Sequence, residues 1–187
     1  MSQHIENRFG AADRLRLRDL VATRSLLSGQ FTLASGRQSG LFFDMKRTML
    51  DPEGANLIAA AVLNAIGDRP VDAVGGLVMG AVPIVAVVCA RSFPGRPLQG
   101  FFVRKEAKDH GTARRIDGNL AAGARVIILE DVTTTGASAL LAVDAVREAG
   151  AEVLAVLTLV DRMEGAAAAF AAAGVPFEAV LTRDDFV

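Results

Sequence analysis

Two hydrophobic periods alternate along this chain, and the points where one gives way to the other predict its elements. Residues 11–27 read as an amphipathic helix, with Leu17, Leu20 and Val21 on one stripe and arginines elsewhere, closed by Ser28-Gly29. Phe31-Thr32-Leu33 and Leu41-Phe42-Phe43 are short strand-like pieces around a segment dense in turn formers, which predicts a hairpin-like flap. Asp51-Pro52-Glu53 has the cap-then-proline form of a helix start. The stripes Leu57, Ala61, Ala65 and Ile58, Val62, Ile66 carry that helix to Gly67. Val71 to Val74 predicts a strand, Gly75 to Gly80 a turn, and Ala81 to Arg91 an apolar helix. Further strands are expected at Gln99 to Val103, Val126 to Leu129, Glu152 to Val160 and Pro176 to Thr182. Helices are expected around Leu140 to Gly150 and from Gly165 to Ala173.

Val126-Ile127-Ile128-Leu129 is apolar without alternation, so this strand is expected to be buried on both faces. Strands of that kind separated by amphipathic helices predict an α/β fold with a mostly parallel central sheet. The length of 187 residues suggests one domain, and no repeat or low-complexity linker divides it. The formal net charge of −1 provides no global basic field for nucleic acid or an anionic membrane, so an anion site has to be made locally. The single cysteine, Cys89, excludes an internal disulfide and a cysteine-rich zinc site. It lies in an apolar run and is expected in the core. The N-terminus, with His4, Glu6, Asn7 and Arg8, lacks the apolar run of a signal peptide, and no stretch reaches transmembrane length, so a cytoplasmic protein is expected.

Chemistry concentrates where the central strand ends. Glu130 and Asp131 stand at its carboxyl end, where open α/β sheets bind ligands. Val132-Thr133-Thr134-Thr135-Gly136-Ala137-Ser138 then leads into a helix, offering amides and hydroxyls at a positive helix end. Carboxylates suit a vicinal diol and the amides suit a phosphate; a ribose 5-phosphate unit has both. The plainer alternative is a capped helix after a buried strand, with both acids solvated. Neither G-x-x-x-x-G-K-[ST] nor G-x-G-x-x-G occurs, which disfavours a P-loop or dinucleotide-binding protein. Gly75 to Gly80 presents bare backbone near the same sheet edge, or is simply a tight turn.

From Arg104 to Asp117 apolar periodicity stops. Five basic side chains (Arg104, Lys105, Lys108, Arg114, Arg115) face three acidic ones (Glu106, Asp109, Asp117). With Gly111 and Gly118 as hinges, such a loop could close over an anion; it could equally be a solvated surface loop. Arg162, at the end of a strand, could hold a carboxylate in the fork geometry of guanidinium, or lie on the surface. No Ser/His/Asp or Cys/His constellation is visible.

The segment Glu130 to Ser138 resembles the phosphoribosyl-pyrophosphate (PRPP) motif of type I phosphoribosyltransferases. Arg104-Lys105-Glu106-Ala107-Lys108-Asp109-His110-Gly111 resembles the flexible catalytic loop of the orotate phosphoribosyltransferase branch, and Phe31 to Ser39 is similar to its flap segment F-T-L-x-S-G-x-x-S. The resemblance spans roughly residues 20 to 165. Three positions depart from the pattern: Thr133 replaces a usual aliphatic residue, and Ala34 and Met79-Gly80 stand where lysines are frequent.

The resemblance implies one domain over residues 1–187, with a small hood built from the helix and flap at about 11–45 and other terminal segments, and a catalytic loop at about 104–118. It implies magnesium-dependent transfer of phosphoribose from PRPP to orotate, giving orotidine 5′-phosphate and pyrophosphate in de novo pyrimidine biosynthesis. Arg104, Lys105, Lys108 and His110 would hold the diphosphate, Lys108 with the largest effect on rate. Glu130, Asp131, Val132, Thr133, Thr134, Thr135, Gly136, Ala137 and Ser138 would bind PRPP, and Met79-Gly80 would form the pyrophosphate loop. Thr134, Arg162, Phe42 and Phe43 would bind orotate. Mg²⁺ would be held through substrate and water near Glu130 and Asp131, without direct ligation. A homodimer sharing its catalytic loops is implied, with no nucleic acid or membrane partner. The alternatives are a purine phosphoribosyltransferase and a non-catalytic PRPP-binding regulator; the second would lack the cationic loop.

Overall fold

A computed structural model describes residues 9–32, 38–93, 95–106 and 115–187. The chain opens with α1 (Ala11–Leu20), a single π-helical turn (Val21–Ser25), β1 (Leu26–Thr32) and β2 (Gln38–Phe43), the last two pairing antiparallel as a separate two-stranded sheet. The helix expected over 11–27 is therefore shorter. Thr23 Oγ1 bonds back to the Asp19 carbonyl at 2.7 Å, the kind of side-chain bond that bends a helix. Leu26 and Leu27 then pair with Phe43 and Phe42. Ser28-Gly29 thus lies within β1, at a register shift, rather than at a helix end.

A short α2 (Lys46–Met49), absent from the hydrophobic pattern, precedes α3 (Pro52–Ile66), whose cap is as expected: Asp51 accepts from the Gly54 amide at 2.9 Å. Next come β3 (Ala73–Leu77), α4 (Ala81–Ser92), β4 (Gln99–Val103), β5 (Ile116–Gly118), β6 (Arg125–Thr133), α5 (Ala137–Glu148), β7 (Glu152–Asp161), α6 (Ala166–Ala172) and β8 (Phe177–Thr182). The six-stranded sheet runs β5-β4-β3-β6-β7-β8, parallel except for β4-β5. Ile127, Leu129 and Leu157 pack on one face with α3 and α4, and Val126, Ile128 and Val156 on the other with α5. The α/β fold with a mostly parallel sheet between helices is as the sequence predicts.

Strand β3 is displaced from the expected 71–74. Gly75 and Gly76 are strand residues whose missing side chains make room for neighbours. A Cβ on Gly75 would lie 2.4 Å from the Phe101 ring, and one on Gly76 would lie 2.2 Å from the Leu129 carbonyl oxygen. Gly118, expected as a hinge, is held in β5 opposite Phe101, and a Cβ there would meet the Gly100 carbonyl at 2.6 Å.

From β3 the chain proceeds outward to β4 and β5, then crosses back to place β6 on the other side of β3. The carboxyl ends of β3 and β6 thus flank a topological switch point, the crevice where open α/β sheets bind ligands.

Candidate active site

Three segments meet at the crevice. From β6 come Glu130 and Asp131; the strand continues past the predicted Leu129 to Thr133 because β7 pairs with it out to Thr133↔Asp161. Glu130 is only 6% exposed and its Oε2 has no hydrogen-bond partner among the described residues. Burial, then the neighbouring charge of Asp131, pushes its carboxyl well above the usual carboxylate range, while the charge of Lys105 acts in the opposite direction. Glu130 is therefore not a solvated surface acid.

From the β3–α4 connection comes Gly80, with Met79 exposed beside it and a cis peptide between Val78 and Met79. A Cβ on Gly80 would sit 2.5 Å from Asp131 Oδ1, so the absent side chain is what lets this turn lie against the acid. Asp131 Oδ1 also accepts from the Val132 amide at 2.9 Å.

Beyond β6, Gly136 adopts the left-handed conformation (φ 86°) and starts α5 with no side chain among the described residues capping it. The first amides of α5 are thus left to an external acceptor. A cavity of about 270 Å³ lies over them, lined by Glu130 and the run from Val132 to Ala139. Thr133 is 2% exposed and its hydroxyl has no partner among the described residues. Thr134 is half-buried, whereas Thr135, Ala137 and Ser138 are exposed.

Arg162 is buried at 4% exposure, so it is not a surface arginine. Its amide donates to the Thr133 carbonyl at 2.9 Å, its Nη1 donates to the Leu41 carbonyl at 3.0 Å, and its guanidinium lies 5.9 Å from the Phe43 ring centroid. Glu164 Oε1 accepts from Nε at 3.0 Å and stands 2.9 Å from Nη2. The two phenylalanines expected at the base diverge, because neighbours on a strand face opposite ways. Phe43 is buried against Phe186, while Phe42, 37% exposed, packs on Phe31. Phe43 lies under the Arg162 guanidinium and, as its underlay, belongs to the core.

Of the cationic loop, Arg104 is bound to Asp117 at 2.6 Å and lies over Phe102, so in this conformation it serves β5 rather than the crevice. Lys105 is exposed. Lys108, His110 and Gly111 lie outside the described residues, as do Ala34 and the N-terminal residues His4 to Arg8. The loop's second half is also shorter than expected, since Ile116 and Asp117 return as β5. Sequence reasoning missed Glu164 and the Leu41 carbonyl; the only signal was an acid two residues after Arg162.

The buried Glu130 beside the half-buried Asp131 at a switch point, next to a helix end suited to phosphate, is the arrangement that a phosphorylated ribose requires. Residues 48–172 match the family described as phosphoribosyl transferase domain. An orotate phosphoribosyltransferase of Rhodopseudomonas palustris (strain TIE-1) is 50% identical over 182 residues, covering 95% of this chain and 97% of the relative. The orotate phosphoribosyltransferase of Mycobacterium tuberculosis H37Rv solved in complex with PRPP superposes with a TM-score of 0.78 at 38% identity, covering 93% of this chain and 98% of that one. The chain belongs to the orotate phosphoribosyltransferase family. Adenine phosphoribosyltransferase from Leishmania tarentolae, at 17% identity and a TM-score of 0.65 over 91% of this chain and 89% of that one, shares the fold alone. No helix among the described residues is long and apolar enough to cross a membrane.

Proposed function

We propose that this chain transfers the 5-phosphoribosyl group from PRPP to orotate, releasing pyrophosphate and forming orotidine 5′-phosphate in pyrimidine biosynthesis. The observation that carries the reading is the pairing, at one strand end, of the buried Glu130 and its neighbour Asp131 with the uncapped amides of α5. The amides of Ala137 to Ala139 would take the 5-phosphate, and the acid pair would hold the ribose hydroxyls. The turn at Met79-Gly80, resting on Asp131, would carry the pyrophosphate. Arg162 would hold the orotate carboxylate and Thr134 the base. No protein nucleophile is needed, because the diphosphate is already a good leaving group and the base nitrogen attacks directly; the protein supplies position and charge.

The acid pair also fits magnesium. Among the described residues no group of three or more acidic, His or Cys side chains stands together, so the ion would take most of its oxygens from substrate and water. When bound, magnesium would neutralise charge on the diphosphate. Lys105, Lys108 and His110, with Arg104 once released from Asp117, would close over the departing group. That closure across a homodimer, one phosphoribosyltransferase domain spanning residues 1–187 with β1-β2 in a hood, and a cytoplasmic location all belong to the same proposal. Loss of orotate absorbance, measured with PRPP and magnesium and with each omitted in turn, tests it. Turnover of adenine or hypoxanthine in place of orotate would overturn it.

A further inference from the structure

The reading above gives Arg162 to the substrate carboxylate and leaves Glu164 without a role. We infer that Glu164 is a positioning residue that holds the Arg162 guanidinium in its binding orientation before substrate arrives; the inference rests on the orotate reading. A guanidinium only 4% exposed would be an uncompensated buried charge without a carboxylate beside it. Glu164 supplies that carboxylate through one oxygen, which faces both Nε at 3.0 Å and Nη2 at 2.9 Å.

The backbone is built to bring the two together. The Arg162 amide is tied to Thr133 in the phosphate segment at 2.9 Å, and the Met163 amide donates to Asp161 Oδ1 at 2.9 Å. Met163 itself takes a left-handed conformation, φ 59°, turning the chain so that Glu164 returns onto Arg162. Below, Phe43 lies under the guanidinium, and Leu41 accepts from Nη1 at 3.0 Å. Arginine loses much rotamer freedom when it is fixed, and here Glu164, Phe43 and Leu41 impose that loss in the free protein. Preorganisation of this kind appears as affinity for the group the arginine receives.

The test is calorimetry with orotidine 5′-monophosphate and with uridine 5′-monophosphate, which lacks only the carboxylate, on wild type, E164A, E164Q and R162K. E164A is expected to weaken orotidine 5′-monophosphate by about tenfold, the equivalent of about 1.4 kcal/mol, and uridine 5′-monophosphate by less than about twofold. E164Q, whose amide oxygen can accept the same two bonds, is expected to recover part of that preference. In steady state, E164A should raise the orotate KM with little change in kcat. A preference for the carboxylated nucleotide that is unchanged or larger in E164A overturns the inference. The R162K arm separates the two ideas: if it too leaves the preference intact, the assignment of the carboxylate to Arg162 has failed, whereas collapse in R162K alone sinks only the role of Glu164.

Discussion

Replacing Glu130 with glutamine should trade function for stability, and pH shows why. The Glu130 carboxyl is 6% exposed, has one oxygen without a partner among the described residues and stands beside Asp131, so the folded protein holds its proton more tightly than the unfolded chain does. A carboxyl raised in this way costs nothing below its ordinary value of 4.5, where both states are protonated. As pH rises above that value the unfolded chain loses the proton first, so stability falls until the folded group ionises too. Inside this window the slope approaches about 1.4 kcal/mol per pH unit. The amide introduced by E130Q cannot titrate, so the stability of that variant should lack the fall. Urea denaturation of both proteins from pH 5 to pH 7.5 measures the difference; the E130Q advantage should widen as pH rises. Parallel stability profiles would refute the reasoning, since they would mean Glu130 ionises alike in both states. The same variant should bind PRPP more weakly, because an amide is a poorer acceptor for ribose hydroxyls than a carboxylate.

Lys108→Ala should lower kcat by about a hundredfold with an unchanged melting temperature, the scale of losing one charge on a developing anion; near-normal turnover would remove the loop from the mechanism. Gly80→Ala places a Cβ 2.5 Å from Asp131 Oδ1 and should raise the PRPP dissociation constant by about tenfold, read by calorimetry. An unchanged constant would mean that the turn moves freely from the acid. Thr133→Val removes a buried hydroxyl that has no partner among the described residues, and should raise the melting temperature by about 2–4 °C for each kcal/mol recovered. A lower melting temperature by calorimetry would show that the hydroxyl is satisfied in the folded protein.

The fold was legible wherever one period ran uninterrupted. Strand β4, the start of β6 and helix α3 are close to where their letters place them: β6 buries the run Val126 to Leu129, α3 buries its stripe from Leu57 to Ile66, and β4 buries the alternating Phe101 and Val103. Legibility failed where a contact from elsewhere decided the conformation. Leu26 and Leu27 continue the helical stripe of α1 but are claimed by Phe42 and Phe43 across the flap. Gly75 and Gly76 read as a turn because glycine usually marks one, yet here they admit the Phe101 ring and the Leu129 carbonyl into the sheet. The three residues of β5 are too few to show any period, and only their pairing with β4 makes them a strand.

The site divides along the same line. Glu130 to Ser138 could be read because strand end, acids and helix start are contiguous, so local geometry already places them together. The surroundings of Arg162 could not, since its partners include a backbone carbonyl at Leu41, a ring from the flap and an acid returned by a left-handed turn. Apart from the acid two residues after Arg162, none of these has a sequence signature, and the burial of Thr133 has none either. The contrast follows from what each half must do. Phosphate recognition needs free amides in one short run, which a single strand-helix junction provides. Selecting a base needs walls from separate elements, and with Arg162 held from β7, β6 and the flap together, the proposed base site would be coupled to the proposed phosphate segment through the Thr133 carbonyl. Displacement of the flap should therefore be felt at Arg162 before it is felt at α5.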